Sequence, residues 1–293
     1  MPPDAPTFDL QSHSTHSDGS LAPAEVVAQA AAAGVELLAL TDHDTVAGVP
    51  EALAAARARG IRLSPAAELS SVHGEHEDLH VLGYELDPSD PGLQAALEDF
   101  RADRGRRIYA MADRLRELGF ALDDSSFAAR ESLGRPHLAD AVLAHPDNAE
   151  RLAREGIEGK KELFPPYLVP GAAAYVARSR PTVEEAIEVI HAAGGVAVWA
   201  HPFWDIADPG HVLDTVRHFA ARGLDGVECF YAEHTRDQAL LLHGECEARG
   251  LLSTGSADFH GPEHEHFSRF RSFELFGLEP RLGPIGGTST AAG

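Results

Sequence analysis

Histidine and carboxylate residues recur along this chain in short groups whose spacing suits metal ligands. Together the groups combine imidazoles with carboxylates, and none contains a thiolate. This donor set favours Mn, Fe or Zn over calcium or a cysteine-rich structural zinc site. The groups are Asp9–Gly19, Thr41–Thr45, Glu68, His80, His201 and Asp258–Gly261.

These groups stand at or beside the ends of predicted strands. Amphipathic helices alternate with short apolar strands, and a glycine follows each helix, which is typical of βα units with a mostly parallel sheet. In barrels of such units the strand ends meet at one rim, where catalytic groups lie. Six strand ends that each supply a histidine or carboxylate therefore predict bound metal. The predicted helix and strand pairs are Ala24–Ala33 with Val35–Thr41, Val49–Arg59 with Ile61–Glu68, Thr182–Ala193 with Val196–Ala200, Val212–Ala221 with Val227–Tyr231, and Gln238–Arg249 with Leu251–Ser256, and Leu79–Tyr84 is a further strand.

The alternation stops between residues 93 and 180. This segment contains two long polar helices, Leu93–Leu118 and Arg135–His145, and no comparable buried strand. We interpret it as an inserted helical subdomain, so that residues 1–92 and 181–280 form one discontinuous barrel. The stretch 281–293 is rich in small residues and is predicted to be disordered.

The composition narrows the classes of partner. Among 293 residues there are 24 Lys and Arg against 46 Asp and Glu, which gives a formal charge of −22. This balance argues against binding to long duplex nucleic acid or to membranes through a basic surface. It leaves room for a phosphate substrate, because bound cations reverse the local sign of a site. Only Cys229 and Cys246 are present and no leader pattern is visible, so we expect a cytoplasmic protein.

The motifs together resemble the PHP (polymerase and histidinol phosphatase) superfamily of metal-dependent phosphoesterases. The matching segments are the first group from Asp9, Thr41-Asp42-His43, Glu68 at a strand, Ala200-His201-Pro202 and Asp258-Phe259-His260. The insertion, which includes Gly134-Arg135-Pro136-His137, resembles that of one branch of the superfamily. This branch contains the 3′,5′-nucleoside bisphosphate phosphatases and the 5′→3′ exoribonucleases of the RNase AM type.

The resemblance implies a distorted (β/α)7 barrel, TIM-like, that holds two or three divalent metal ions, with Mn favoured. One ion would use Gln11, His13, Glu68 and Asp258. A second would share Glu68 as a bridge and add His80 and His201. A third would use Asp18, His43 and His260.

Gln11 departs from the family pattern, which has histidine at this position. A carboxamide oxygen is a neutral and weaker ligand, so we expect a first metal site that is weaker or selective for a harder ion such as Mn. A resting enzyme with two metals is the alternative, as is a Gln11 that only hydrogen-bonds to a ligand.

The resemblance also implies hydrolysis of nucleotide-like phosphate esters by a hydroxide held between metal ions. Arg135 and His137 would bind the substrate phosphate, and His137 would protonate the leaving oxygen. The substrates would be a 3′,5′-bisphosphate that loses its 3′-phosphate, or short RNA trimmed from its 5′ end. The alternatives are a phosphatase for another small phosphomonoester such as histidinol phosphate, and a non-catalytic, metal-poor binding module.

Overall fold

The computed structural model describes residues 6–126, 133–178 and 180–287. Its internal contacts divide the chain into two compact units, Met1–Glu98 with Pro181–Gly293, and Asp99–Arg180. The sequence predicts that the insertion begins at residue 93, whereas the division between the units falls inside one continuous helix, Pro91–Glu117.

The first unit contains a seven-stranded sheet whose strands follow one another in chain order. The first three strands pair in parallel with one another, and so do the last three. The Leu10 N–H donates to the Gly255 carbonyl at 3.2 Å, which brings the first and last strands together. The predicted distorted (β/α)7 barrel is therefore confirmed. The strands are β1 (Phe8–Asp9), β2 (Leu37–Leu40), β3 (Arg62–His73), β4 (His76–Tyr84), β5 (Val196–Trp199), β6 (Gly226–Tyr231) and β7 (Leu252–Ser256).

The helices begin and end where the sequence supplies caps. The Thr182 hydroxyl accepts from the Glu185 N–H at 3.1 Å, and the Glu185 carboxylate accepts from the Thr182 N–H at 2.9 Å. This reciprocal pair satisfies donors that the first turn leaves open. Gly250 ends the last helix with a φ of 72°, a conformation that favours glycine. The helices are α1 (Pro23–Ala32), α2 (Val49–Arg59), α3 (Pro91–Glu117), α4 (Arg135–Ala144), α5 (Ala149–Glu155), α6 (Lys160–Tyr167), α7 (Val183–Ala192), α8 (Pro202–Asp205), α9 (Pro209–Ala220) and α10 (Arg236–Arg249), and two 3₁₀ turns are Asp124–Ser126 and Pro146–Asn148.

An antiparallel hairpin interrupts the parallel sheet. Strand β3 pairs with β4, with Glu68 opposite Leu82 and Ser70 opposite His80. Our expectation that Glu68 ends its strand is wrong, because pairing with β4 extends β3 as far as His73. Side chains two residues apart on a strand share a face, so Glu68 and His80 still project to the same side of the sheet.

The apolar core of the barrel unit stabilises the fold, so the residues at the barrel rim can be polar. All four residues of β2 are buried, and helices α1 and α2 pack Val26, Val27 and Ala52 against Leu38 and Leu40. Burial of each such leucine or valine contributes about 1.5 to 3 kcal/mol. The barrel wall therefore stabilises the fold largely without the polar residues at the strand ends.

The second unit is helical and has its own apolar core. Ile108 and Leu115 of α3 pack with Leu138 and Val142 of α4 and with Leu163 of α6. Arg135 and His137 occupy the first turn of α4, which begins after Gly134.

The stretch that we predicted to be disordered has structure in its first part. Arg281 forms a β-bridge with Ser253, and Ile285 is 3% exposed. The expectation is therefore not met for residues 281–287, because burial of Ile285 offsets the entropy of ordering this segment. Residues 288–293 lie outside the described part of the chain. Within the described ranges, no helix has both the length and the apolarity that crossing a bilayer requires.

Candidate metal centre

The carboxylate of Glu68 is the centre of a cluster of imidazoles. The Oε1 atom lies 2.7 Å from His80 Nδ1 and 3.3 Å from His201 Nε2. The Oε2 atom lies 3.1 Å from His13 Nε2 and 3.5 Å from His43 Nδ1. One buried carboxylate thus faces four imidazoles through its two oxygens.

Asp18 and Asp258 form the other side of the same cluster. The carboxylate of Asp18 lies 3.5 Å from His43 Nε2 and 3.5 Å from His260 Nε2. The Oδ1 atom of Asp258 lies 3.2 Å from His13 Nε2 and 3.6 Å from His260 Nδ1. The structure therefore brings together all the residues that the sequence selected at the barrel rim.

Potential ligand atoms converge closely enough to hold ions. One ligand atom from each of four residues lies within 4.8 Å of the other three, and a second group of three has the same property. The first group contains the three residues predicted for the third ion and adds His13. The second group contains two residues predicted for the second ion, with His43 in place of His201. The groups are His13, Asp18, His43 and His260, and then His43, Glu68 and His80.

Several buried polar atoms of this cluster have no hydrogen-bond partner in the described structure. A buried polar atom without a partner costs about 1 to 3 kcal/mol, so a concentration of such atoms needs a compensating ligand. Nitrogen and carboxylate oxygen are the donors that Mn, Fe and Zn accept. The residues present therefore fit divalent cations. The atoms are His13 Nε2, Asp18 Oδ1, His43 Nδ1, His201 Nδ1 and Asp258 Oδ1.

The charges within the cluster keep its carboxylates ionised. Burial alone would raise the pKa of Glu68, but His80 and His43 hold it well below its usual value. Burial likewise opposes ionisation of Asp258, yet His260 and His13 lower its pKa to about 2. The pKa of Asp18 is also well below its usual value, because His43 and His260 outweigh burial. Ionised carboxylates are the form that binds metal.

The backbone at this rim is strained. Asp44, His201 and Asp258 have φ values of 54°, 28° and 54°, which are uncommon for residues other than glycine. The His201 N–H donates to Glu228 Oε2 at 2.9 Å, which supports this conformation. Such strain is concentrated at functional sites, where the surrounding structure maintains it.

Asp42 organises the loop that carries His13 and Asp18. Its carboxylate accepts from the Ser14 N–H at 2.7 Å, from the Ser14 hydroxyl at 2.7 Å and from the Ser17 hydroxyl at 2.8 Å. Ser17 also lies 3.4 Å from His13 Nδ1. Asp42 thus supports the loop that carries two candidate ligands.

Gln11 lies in the cluster and donates its Nε2 to Glu68 Oε2 at 3.1 Å. Its Oε1 accepts from the Ser256 hydroxyl at 3.4 Å. In this orientation Gln11 orients Glu68, and a half-turn of the carboxamide would instead present the oxygen as a ligand.

Arg135 and His137 belong to the helical unit, separate from the unit that contains the cluster. The Arg135 guanidinium donates to the Leu168 carbonyl at 3.3 Å and lies 6.0 Å from the Phe164 ring. His137 Nδ1 accepts from the Gly134 N–H at 3.1 Å, which caps α4. Their roles toward substrate remain predictions.

Two aromatic residues near the cluster were missed in the sequence. The Tyr231 hydroxyl donates to Asp258 Oδ2 at 3.0 Å, so Tyr231 orients a candidate ligand. Trp204 lies one helical turn after His201 and is 58% exposed, and its ring centroid is 6.4 Å from the His201 ring. Their positions in the sequence could have indicated both residues, because Tyr231 ends a strand and Trp204 follows Ala200-His201-Pro202.

A buried histidine near the rim makes the fold sensitive to acid. Burial lowers the pKa of His234 to about 4, and its Nδ1–H donates to the Cys229 carbonyl at 3.0 Å. The unfolded chain protonates near the ordinary value of about 6.5, so stability is retained above that pH and lost as pH falls toward 4. We expect His234→Asn to remove about 2 kcal/mol of the loss in unfolding free energy between pH 7 and pH 5. Urea denaturation at both pH values measures this difference.

The control for His234→Asn is the same substitution at the exposed His211. His211→Asn should leave the acid-dependent loss as it is in the unsubstituted protein. An equal loss in His234→Asn would show that another group causes the acid sensitivity.

Comparison with known proteins gives the family of this chain. Residues 9–193 match the family model described as PHP domain. A 5′-3′ exoribonuclease of Haemophilus influenzae is 35% identical, over 87% of this chain and 90% of the relative. A 3′,5′-nucleoside bisphosphate phosphatase of Chromobacterium violaceum is 34% identical, over 87% of each chain. A solved structure from Bifidobacterium adolescentis, described as that of a metal-dependent phosphoesterase, has a TM-score of 0.73 and 29% identity, and covers 90% of this chain and 91% of its own. The chain belongs to the PHP domain family.

Proposed function

We propose that this chain, a metal-dependent phosphoesterase of the PHP family, hydrolyses phosphate esters of nucleotides or short RNA. The observation that carries the proposal is the convergence of buried imidazoles on both oxygens of Glu68, in a cluster where several buried polar atoms have no hydrogen-bond partner. The names of the relatives support nucleotide or RNA substrates.

The chain's own residues divide the work between binding metal and binding phosphate. The proposed ligands are Gln11, His13, Asp18, His43, Glu68, His80, His201, Asp258 and His260. Bound divalent cations would offset the phosphate charge and lower the pKa of a water nucleophile. Glu68 would join neighbouring ions, since both of its oxygens face imidazoles. Ionised Asp18 and Asp258 would balance the cationic charge.

Arg135 and His137 are proposed to act on the substrate. A guanidinium suits a phosphate group because its donors form two parallel hydrogen bonds. Arg135 would hold the equatorial oxygens, and His137 would donate a proton to the leaving oxygen.

Trp204 supports a substrate that contains a nucleobase. It is the most exposed large apolar side chain among the described residues. Its ring centroid lies 5.8 Å from the Phe267 ring and 6.5 Å from the Tyr231 ring, which together form an aromatic group beside the cluster. Nucleobases stack on such side chains, so this group would bind the base of a substrate whose phosphate lies at the cluster.

The test of the proposed function combines metal analysis with a phosphate-release screen. We expect purified protein to bind divalent metal and to release phosphate from adenosine 3′,5′-bisphosphate or nucleotides from short 5′-phosphorylated RNA. A chelator should stop both reactions, and Mn should restore them. Preference for histidinol phosphate would contradict the nucleotide assignment. Protein that binds less than one metal ion per chain and stays inactive with Mn would contradict the enzyme assignment itself.

Arg135→Ala is expected to lower kcat/KM about 10- to 100-fold, because a hydrogen bond to a charged group contributes about 1.5 to 3 kcal/mol. Arg135→Lys should recover only part of this loss, since an ammonium cannot bind two oxygens in parallel. Steady-state kinetics on adenosine 3′,5′-bisphosphate measures both. Exposed Arg154 in the same unit provides the control, and Arg154→Ala should be neutral. A neutral Arg135→Ala would remove Arg135 from the phosphate site.

Trp204→Ala is expected to raise KM for nucleotide substrates about tenfold, since stacking of a base contributes about 1 to 3 kcal/mol. Trp204→Phe should retain most of the affinity. Kinetics on p-nitrophenyl phosphate, which has no base, should change little in either variant. An equal loss on both substrates would mean that Trp204 supports the cluster rather than the base.

A further inference from the structure

A second group of imidazoles lies away from the cluster, where the hairpin meets two helices of the barrel unit. His73 ends β3, Glu184 lies in the first turn of α7, and His218 lies near the end of α9. One ligand atom from each of these residues lies within 4.8 Å of the other two. None of the three belongs to the proposed catalytic site.

The distances in this group suit a tetrahedral ion. The Oε1 atom of Glu184 lies 3.4 Å from His218 Nε2 and 4.0 Å from His73 Nδ1. Zinc binds nitrogen and oxygen ligands at about 2.0 to 2.2 Å, so neighbouring ligands on one ion are separated by roughly 3.4 Å. Small side-chain rotations therefore suffice to bring three donors onto one ion.

The surroundings hold the three side chains in place. The His73 ring packs on the His218 ring at 4.6 Å between centroids and on the Phe219 ring at 4.9 Å. All three side chains are half-buried, with exposures of 29% for His73, 33% for Glu184 and 35% for His218.

We propose that His73, Glu184 and His218 form a separate site for one zinc-class divalent ion. Two imidazoles and one carboxylate provide three protein ligands, which leaves the remaining position to water, as in open zinc sites. The ion would connect the hairpin to α7 and α9. Because His73 and His80 lie on the two strands of one hairpin, occupancy of this site would also restrain the strand that carries a catalytic ligand.

Arg222 competes for the same carboxylate. Its Nε atom lies 3.1 Å from Glu184 Oε1. A cation bound at this oxygen must displace the guanidinium, so Arg222 weakens metal binding. Removal of Arg222 therefore distinguishes a metal site from a surface network of ion pairs. A metal site gains affinity for the ion, whereas an ion-pair network only loses a partner.

The test is a zinc titration of the purified holoenzyme, with bound metal counted by elemental analysis after gel filtration. We expect one zinc equivalent beyond the catalytic metals, and His218→Ala should lose this equivalent while it keeps its phosphatase activity. Glu184→Gln should weaken the equivalent at least tenfold, and Arg222→Ala should tighten it. His211→Ala, on the same helix but outside the group, is the matched control and should bind zinc as the holoenzyme does.

The same titration on Glu68→Gln separates this site from the proposed function. The peripheral equivalent, which is the zinc ion bound by His73, Glu184 and His218, should persist in Glu68→Gln, because Glu68 takes no part in that site. Equal zinc stoichiometry and affinity in the holoenzyme and His218→Ala would overturn the proposal, as would an Arg222→Ala variant with unchanged affinity. If the catalytic assignment fails while the peripheral equivalent persists, only the proposed function is wrong.

Discussion

Glu68→Gln is expected to lower phosphate release about 1,000-fold or more and to reduce the metal content of the purified protein. Gln removes the negative charge that faces His80, His201, His13 and His43 while it keeps the shape of the side chain. The metal ions of such a site supply several kcal/mol of transition-state stabilisation, and each 1.36 kcal/mol corresponds to a tenfold change in rate. Elemental analysis and turnover on adenosine 3′,5′-bisphosphate measure the two effects.

Glu228 provides a matched control for this substitution. It is a fully buried glutamate on β6, and its oxygens accept from the His201 N–H at 2.9 Å and the Ser256 hydroxyl at 2.6 Å. Burial raises the pKa of Glu228 to about 7, so a neutral amide resembles its protonated form. We expect Glu228→Gln to change turnover by less than about tenfold, since it weakens one neutral hydrogen bond. Similar losses in the two variants would mean that Glu68 has no special role with metal.

Asp42→Ala is expected to lower the free energy of unfolding by about 3 to 5 kcal/mol, because three donors in a buried loop lose a charged acceptor. Metal affinity should also fall about 10- to 100-fold, as happens when residues that orient ligands are removed. Chemical denaturation and metal titration measure these effects.

Asp42→Asn keeps one acceptor oxygen, so its free energy of unfolding and its metal affinity should lie between those of Asp42→Ala and of the unsubstituted protein. Asp237→Ala, at an exposed position of α10, is the control for loss of an aspartate and should be neutral. An Asp42→Ala variant as stable as the unsubstituted protein would show that Ser14 and Ser17 find other partners.

The grouping of the rim residues was predictable because βα units carry their strand ends to one side of a barrel. The parallel units gave the correct neighbourhood for His13, His43, His201 and Asp258. Strand β1 was not visible in the sequence, since Phe8 and Asp9 are too few to show a period. The direction of β4 was also not visible, because an apolar strand has the same pattern in parallel and antiparallel pairs.

The finer features depend on tertiary contacts that no local pattern records. Asp42 lies in the matched segment Thr41-Asp42-His43, but its three hydrogen bonds depend on the packing of the loop from Ser14 to Ser17. The orientation of Gln11 depends on Glu68, which is 57 residues away. No local pattern brings His73 to α7 and α9, so the group of His73, Glu184 and His218 follows only from the fold.

The barrel closes through hydrogen bonds between residues near the start of the chain and residues after position 250. The His13 N–H donates to the Phe259 carbonyl at 2.8 Å, and Leu10 pairs with Gly255. His13 and Asp258 therefore meet only after nearly the whole sequence is available, and contacts of such long sequence separation form slowly. During synthesis from the N-terminus, β1 keeps an unpaired edge until β7 leaves the ribosome. A chain that stops before Leu252 would leave that edge exposed and prone to aggregation.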